Sequence, residues 1–216
     1  MSLHVVLLEL AAGGADPVAT QKRTARVALA HSAELAGLPL APPEDLAKDE
    51  RDAPVPSRGT CWTISHTGRW AAGLAATFPV GVDVERLRLP RERSREQIMR
   101  SALSPSDLDV LGRDSHEAVD ARWWTLAWTA KEAALKATGL GLLGLGGCEL
   151  LEFAPEPRTD RPLEVAARAL VSSAGERFCV ELRAPDSEHF PAVSLPLARA
   201  KELPDWIAGR SLPLAR

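Results

Sequence analysis

The chain is poor in cysteine: Cys61, Cys148 and Cys179 are the only three in 216 residues, and no two stand in a CxxC pair. That scarcity argues against a zinc knuckle, a dithiol redox motif or a disulfide scaffold, and points to a reducing, cytoplasmic setting in which each thiol is a small buried apolar group. No run approaches the ~18 uninterrupted apolar residues that a membrane span needs. The apolar start from Leu3 to Ala12 has no basic leader and is interrupted by Glu9, so it reads as a strand and not as a signal peptide. There is no excess of positive charge. Lys+Arg is 26 against 29 Asp+Glu, a formal charge of −3, which disfavours a nucleic-acid coat. Strict internal repeats are missing too.

What remains is an ordinary globular composition, 45% hydrophobic and 25% charged. Leu3–Leu10 reads as a buried strand broken by Gly13-Gly14. Asp16-Pro17 reads as a cap and first turn of a helix ending at Gly37. Residues 38–59 hold five prolines and read as a connecting excursion. Thr60–Ser65, Trp70–Phe78 and Val80–Glu85 read as three strands of an antiparallel meander. Residues 86–100 carry six arginines against two glutamates, a charged face suited to steering an acidic partner. Ser104-Pro105 with Asp107 predicts a capped helix. A long helix is then expected from near Ser115 to Thr138, stopped by Gly139 and carrying Trp123, Trp124 and Trp128 into the core. Four strands follow, Cys148–Phe153, Leu163–Val171, Arg177–Arg183 and Ala192–Leu197. The order predicts an α+β fold of two similar halves related by a pseudo-two-fold, each a long helix packed on an antiparallel sheet. The halves are residues 1–103 and 104–216.

Three segments carry chemistry. In Gly81-Val82-Asp83-Val84-Glu85 the two carboxylates share one strand face, where they repel unless solvated or bridged by a cation such as Mg²⁺. In Trp128-Thr129-Ala130-Lys131-Glu132-Ala133-Ala134-Leu135-Lys136, Glu132 and Lys136 share a helical face, as a surface ion pair or as parts of one site. Lys131 is turned ~100° away. In Ile64-Ser65-His66-Thr67-Gly68-Arg69-Trp70, hydroxyls, an imidazole and a guanidinium suit either a turn or a phosphate. Gly139-Leu140-Gly141-Leu142-Leu143-Gly144 fits a dinucleotide fingerprint in letters only, because it follows a helix and not a strand. His4, His31, His116 and His189 show no metal-ligand spacing and are read as structural.

Taken in order, Ser65-His66, Gly81-x-Asp83-x-Glu85 and Trp128-x-x-Lys131-Glu132-Ala133-x-x-Lys136 resemble the signature of the Sfp-type 4′-phosphopantetheinyl transferases. The resemblance implies transfer of the phosphopantetheine arm of coenzyme A to a serine of an apo acyl or peptidyl carrier protein, releasing adenosine 3′,5′-bisphosphate. Carriers of peptide or polyketide synthesis are the implied partners, and the implied enzyme is a cytoplasmic monomer with its site in the cleft between the halves. By matching positions, Asp83, Glu85 and Glu132 would hold Mg²⁺. The resemblance leaves open whether Glu132 is metal ligand, base for the serine proton, or both. Lys136 would meet the pyrophosphate, and Ser65, His66, Arg23 and Thr24 the nucleotide phosphates. Two departures stand out. Asp52-Ala53-Pro54 lies where the family often has Gly-Lys-Pro or Gly-Arg-Pro, so that contact is either lost or moved to Arg51 or Arg58. Only 15 residues precede Asp16, without the basic contacts of longer members. The rival from another class is a non-catalytic coenzyme A or nucleotide-binding module that keeps the fold.

Overall fold

The computed structural model describes residues 2–10, 17–156, 161 and 163–210. The Gly13-Gly14 break and the Asp16 cap lie outside the described residues. The elements are β1 (His4–Glu9), α1 (Pro17–Ala36), β2 (Cys61–Thr67), β3 (Trp70–Ala76), β4 (Gly81–Arg86), α2 (Arg95–Ala102), α3 (Pro105–Val110), α4 (Ala121–Thr138), β5 (Glu149–Pro155), β6 (Glu164–Ser173), β7 (Glu176–Ala184), β8 (His189–Pro196) and β9 (Asp205–Arg210). They form two sheets, ordered β2-β3-β1-β9 and β4-β8-β7-β6-β5. All described pairings are antiparallel except β1 with β9, which is parallel.

The fold is α+β, in four layers: α1, the first sheet, the second sheet, α4. The pattern of β1 shows why. Its alternate residues Val5 and Leu7 enter the core between the sheets, with Leu74 of β3, Val82 and Val84 of β4, and Leu195 of β8. Val6 and Leu8, on the opposite face, pack on Ala28 of α1. A strand covered on both sides has no polar face, so its sequence is a continuous apolar run. The third core lies between α4 and the second sheet, with Leu126, Ala130, Ala134, Phe178, Val180 and Ala192 among its members.

Two glycines let the helices approach closely. A Cβ on Gly73 of β3 would overlap the backbone of Leu29 in α1, and a Cβ on Gly81 of β4 would overlap the carbonyl oxygen of Ala133 in α4.

The expected meander of three strands is corrected. β4 does not continue from β3; it pairs with β8 as the edge of the second sheet. Conversely β9, from the end of the chain, pairs with β1 in the first. The sheets therefore exchange strands across residue 103. The β2–β3 hairpin can form locally, whereas Phe78-Pro79 turns the chain out of the first sheet before β4. The long helix also starts later than expected. Ser115 precedes a single 3-10 turn, His116–Ala118, and α4 opens where the Asp120 carboxylate accepts the N–H groups of Arg122 and Trp123. α3 has the predicted capping box between Ser104 and Asp107, and Gly139 closes α4 in the left-handed conformation at φ 69°. The arginine-rich stretch contains a helix, α2, which its charge pattern did not suggest.

Candidate active site

β2 and β4 are the edge strands that meet between the sheets. No backbone ladder joins them. Instead the Val82 N–H donates to Thr63 Oγ1 and the Val84 N–H to Ser65 Oγ, both at 3.3 Å. Residues two apart on each strand thus match in register, and the hydroxyls satisfy donors that an edge strand would otherwise bury unpaired. With Val82 and Val84 turned into the intersheet core, Asp83 and Glu85 face α4, as their alternation predicted.

Asp83 is 4% exposed. Its Oδ1 accepts from Ser65 Oγ at 2.8 Å and from Lys136 Nζ at 2.6 Å; Lys136 also donates to Ser65 Oγ at 3.0 Å. The ion partner of Lys136 is therefore Asp83, across the cleft, and not its helical neighbour Glu132. Asp83 Oδ2 is buried and has no hydrogen-bond partner among the described residues. Glu85 and Glu132 are half-buried on either side. Burial and then the Asp83 charge push the Glu132 carboxyl up to about 7, against the pull of Lys136. Burial and Asp83 likewise raise Glu85 to about 6, opposed by Arg88, Lys136 and a hydrogen bond from Trp128. Three carboxylates against the Lys136 ammonium and the Arg88 guanidinium, 3.7 Å from Glu85, leave the cluster short of positive charge.

His66 follows Ser65 on β2 and is half-buried. Burial lowers its pKa, and the positive charges of Lys136, Lys22 and Lys48 lower it further. Those cations come from three separate places: α4, α1 and the 38–59 excursion. Burial, the larger cause, disfavours a charge of either sign; the three lysine charges alone favour an anion nearby. Lys22 and Lys48 carry no motif, and only folding brings their charge to His66. Lys48 is also paired with Asp52 at 2.7 Å. Of the other sequence candidates, Arg23 is exposed on α1, and Thr24 is buried with its hydroxyl on the Thr20 carbonyl at 2.9 Å. Arg51 and Arg58 are exposed.

Lys131 turns the other way, as its place on the helix requires. It is 1% exposed, and its Nζ donates to Asp107 Oδ2 at 2.6 Å and to the Ala102 carbonyl at 2.7 Å. Asp107 also accepts the Leu150 N–H at 2.7 Å, so this pair joins α2, α3, α4 and β5. Trp124 and Trp128 stack at 5.6 Å and are not wholly core. They line a cavity of about 360 Å³ with Glu85, Arg88, Leu89, Ile98 and others.

Half-buried carboxylates with raised pKa values, beside an imidazole under the charge of three lysines, have the chemistry to accept a proton, a cation or an anion. Residues 79–181, from before β4 into β7, match the family model of the 4′-phosphopantetheinyl transferase superfamily. Over that segment, a little under half of the chain, the protein is similar to that superfamily, whose general chemistry is phosphopantetheine transfer. No curated protein matches the chain. Asp83, Glu85, Glu132 and Lys136 lie inside the matched segment; Ser65 and His66 lie before it. No described helix is long and apolar enough to cross a membrane.

Proposed function

We propose that the protein is an Sfp-type enzyme that moves the 4′-phosphopantetheine arm of coenzyme A onto a serine of an apo acyl or peptidyl carrier protein. The observation that carries this reading is the convergence of Asp83, Glu85, Glu132 and Lys136 between β4 and α4, inside the matched segment. In the reaction the serine oxygen bonds to the phosphorus bearing the pantetheine arm. The bond from that phosphorus to the bridging oxygen breaks, and adenosine 3′,5′-bisphosphate leaves with the electron pair.

Glu132, with a pKa near 7, can accept the serine proton at neutral pH. Lys136, at the open side of its pair with Asp83, can exchange that carboxylate for a phosphate oxygen and meet the charge that develops there. Ser65 and His66 would hold nucleotide phosphates on the first-sheet side, with Arg23 and Thr24 of α1 assigned by resemblance alone. Lys22 and Lys48 supply positive charge that the altered 52–54 segment does not.

The donor set suits Mg²⁺. Asp83 Oδ2 is an orphaned buried oxygen, and the carboxyls of Glu85 and Glu132 are raised by burial and then by neighbouring negative charge, the second of which a cation would relieve. Among the described residues no three His, Cys, Asp or Glu side chains are drawn together into a ready chelate. Asp83, Glu85 and Glu132 would hold the ion, which when bound supplies neutralisation of the pyrophosphate. We further assign the two halves, 1–103 and 104–216, apart from the exchanged strands β4 and β9, to the two sides of one cleft in a cytoplasmic monomer.

The test is incubation of the protein with apo carrier, coenzyme A and Mg²⁺. A carrier mass increased by one phosphopantetheine supports transfer. Coenzyme A binding with no mass gain supports the non-catalytic binding module instead.

A further inference from the structure

The turn that follows His66 rests on a buried imidazole. His189, at the start of β8, is 3% exposed. Its Nδ1 lies 3.0 Å from both oxygens of Asp186, which as an acceptor-only carboxylate fixes Nδ1 as the donor. Asp186 is itself held by the Trp70 indole N–H at 2.8 Å and by the backbone N–H groups of Glu188 and His189 at 2.7 and 2.9 Å. Burial alone would raise its pKa, but these hydrogen bonds hold it below the usual range. The ring orientation is thus set from one side. On the other side Nε2 has no hydrogen-bond partner among the described residues. It faces Gly68, where an added Cβ would lie 2.8 Å from Nε2, and where φ is +51°. Only glycine meets both demands at this position.

From the outer side the same turn is held by Gln21 of α1, which donates to the Gly68 carbonyl at 2.8 Å. The Leu10 N–H donates to the Arg69 carbonyl at 2.7 Å, and an Arg69–Glu9 ion pair lies alongside. Trp70 and Gly68 belong to the first sheet's hairpin, Asp186 to the β7–β8 connection of the second and His189 to the start of β8. Their contacts therefore join the two layers near the point where Ser65 of one hydrogen-bonds Asp83 of the other.

We propose that Asp186 and His189 are a positioning pair that seats the Thr67–Arg69 turn against the second sheet, and so sets where His66 stands relative to the carboxylates. The pair touches no reacting atom. It acts through the turn, and it rests on the reading of His66 as a phosphate contact.

Two measurements test it, one without ligand. In His189→Leu, amide hydrogen exchange at Gly68 and Arg69 should quicken about tenfold or more while Thr63–Ser65 in the middle of β2 keep their protection. Unchanged exchange at the turn overturns the proposal whatever the protein binds. In calorimetric titration with adenosine 3′,5′-bisphosphate, His189→Leu and Asp186→Asn should each weaken binding about tenfold in the wild-type background, and neither should weaken it further in His66→Ala. A full additional loss in His66→Ala, or wild-type affinity in both variants, overturns it. If His189→Leu does not fold, Asp186→Asn keeps the side-chain shape and carries both measurements. Failure of the wild-type protein to bind adenosine 3′,5′-bisphosphate would sink the proposed function, leaving the exchange comparison to decide the pair.

Discussion

Lys136 Nζ stands 2.6 Å from Asp83 Oδ1, bringing the last turn of α4 to the centre of β4. The lysine side chain is 27% exposed and the aspartate 6%, so the ammonium is the half of the pair that can turn to a ligand without being exhumed. Lys136→Ala should leave a buried carboxylate with only the Ser65 hydroxyl, at a cost of about 1–3 kcal/mol in stability. It should also weaken coenzyme A binding and slow transfer. Combined with Asp83→Asn, the stability losses should fall short of additivity by at least ~0.5 kcal/mol. Urea unfolding of the four proteins in the cycle measures this. Additive losses with normal transfer would remove Lys136 from the site.

Glu85 and Glu132 predict a pH dependence of definite sign. Their folded-state values of about 6 and about 7 lie above the ordinary 4.5. The folded state therefore keeps protons that the unfolded state has released, and stability falls as pH rises from about 4.5 through 7. Without metal, the thermal midpoint should be lower at pH 8 than at pH 5.5, and Glu132→Gln should flatten the difference. Added Mg²⁺ should raise the midpoint more at pH 8, where both carboxylates are ionised. Thermal scans in chelator and in Mg²⁺ at the two pH values check both statements.

Gly81→Ala should damage the fold and the site together. The new methyl would overlap the Ala133 carbonyl oxygen, one residue past Glu132. Pushing α4 outward should cost at least ~1–3 kcal/mol and carry Glu132 and Lys136 away from Asp83. Gly73→Ala meets the backbone of Leu29 in α1 and should destabilise the first sheet comparably. Transfer rate per folded molecule separates the two: it should drop sharply in Gly81→Ala and less in Gly73→Ala.

The two motif lysines should fail differently. Lys131→Ala strands the buried Asp107 carboxylate and should cost about 3–5 kcal/mol, with coenzyme A affinity of the remaining folded protein little changed. Lys136→Ala should reverse that balance. Thermal midpoints and coenzyme A titrations on both variants check the contrast. Weak coenzyme A binding by well-folded Lys131→Ala would place Lys131 in the site.

Much of this protein is written locally. The apolar run of β1, the Ser104–Asp107 capping box, the Gly139 stop and the shared face of Asp83 and Glu85 follow from periodicity and capping chemistry, which act over a few residues. The motif order around Ser65-His66, Asp83-x-Glu85 and Glu132-x-x-x-Lys136 was likewise legible, and it led to the superfamily whose model matches residues 79–181. What only tertiary structure decided is which surfaces meet. Alternation fixes the face on which Asp83 lies but not the strand beside it, so the transfer of β4 to the second sheet and the return of β9 to the first could not be read. The same holds for charge. Helical spacing offered Glu132 to Lys136, but the fold gave Lys136 to Asp83, because a buried carboxylate gains more from an ammonium than a half-exposed one does. The charges of Lys22 and Lys48 act on His66 from positions that no motif marks, and Lys131 is buried where its ammonium meets Ala102 at the end of α2 and Asp107 of α3. Each of these depends on contacts between residues distant in the chain, where sequence spacing carries no distance.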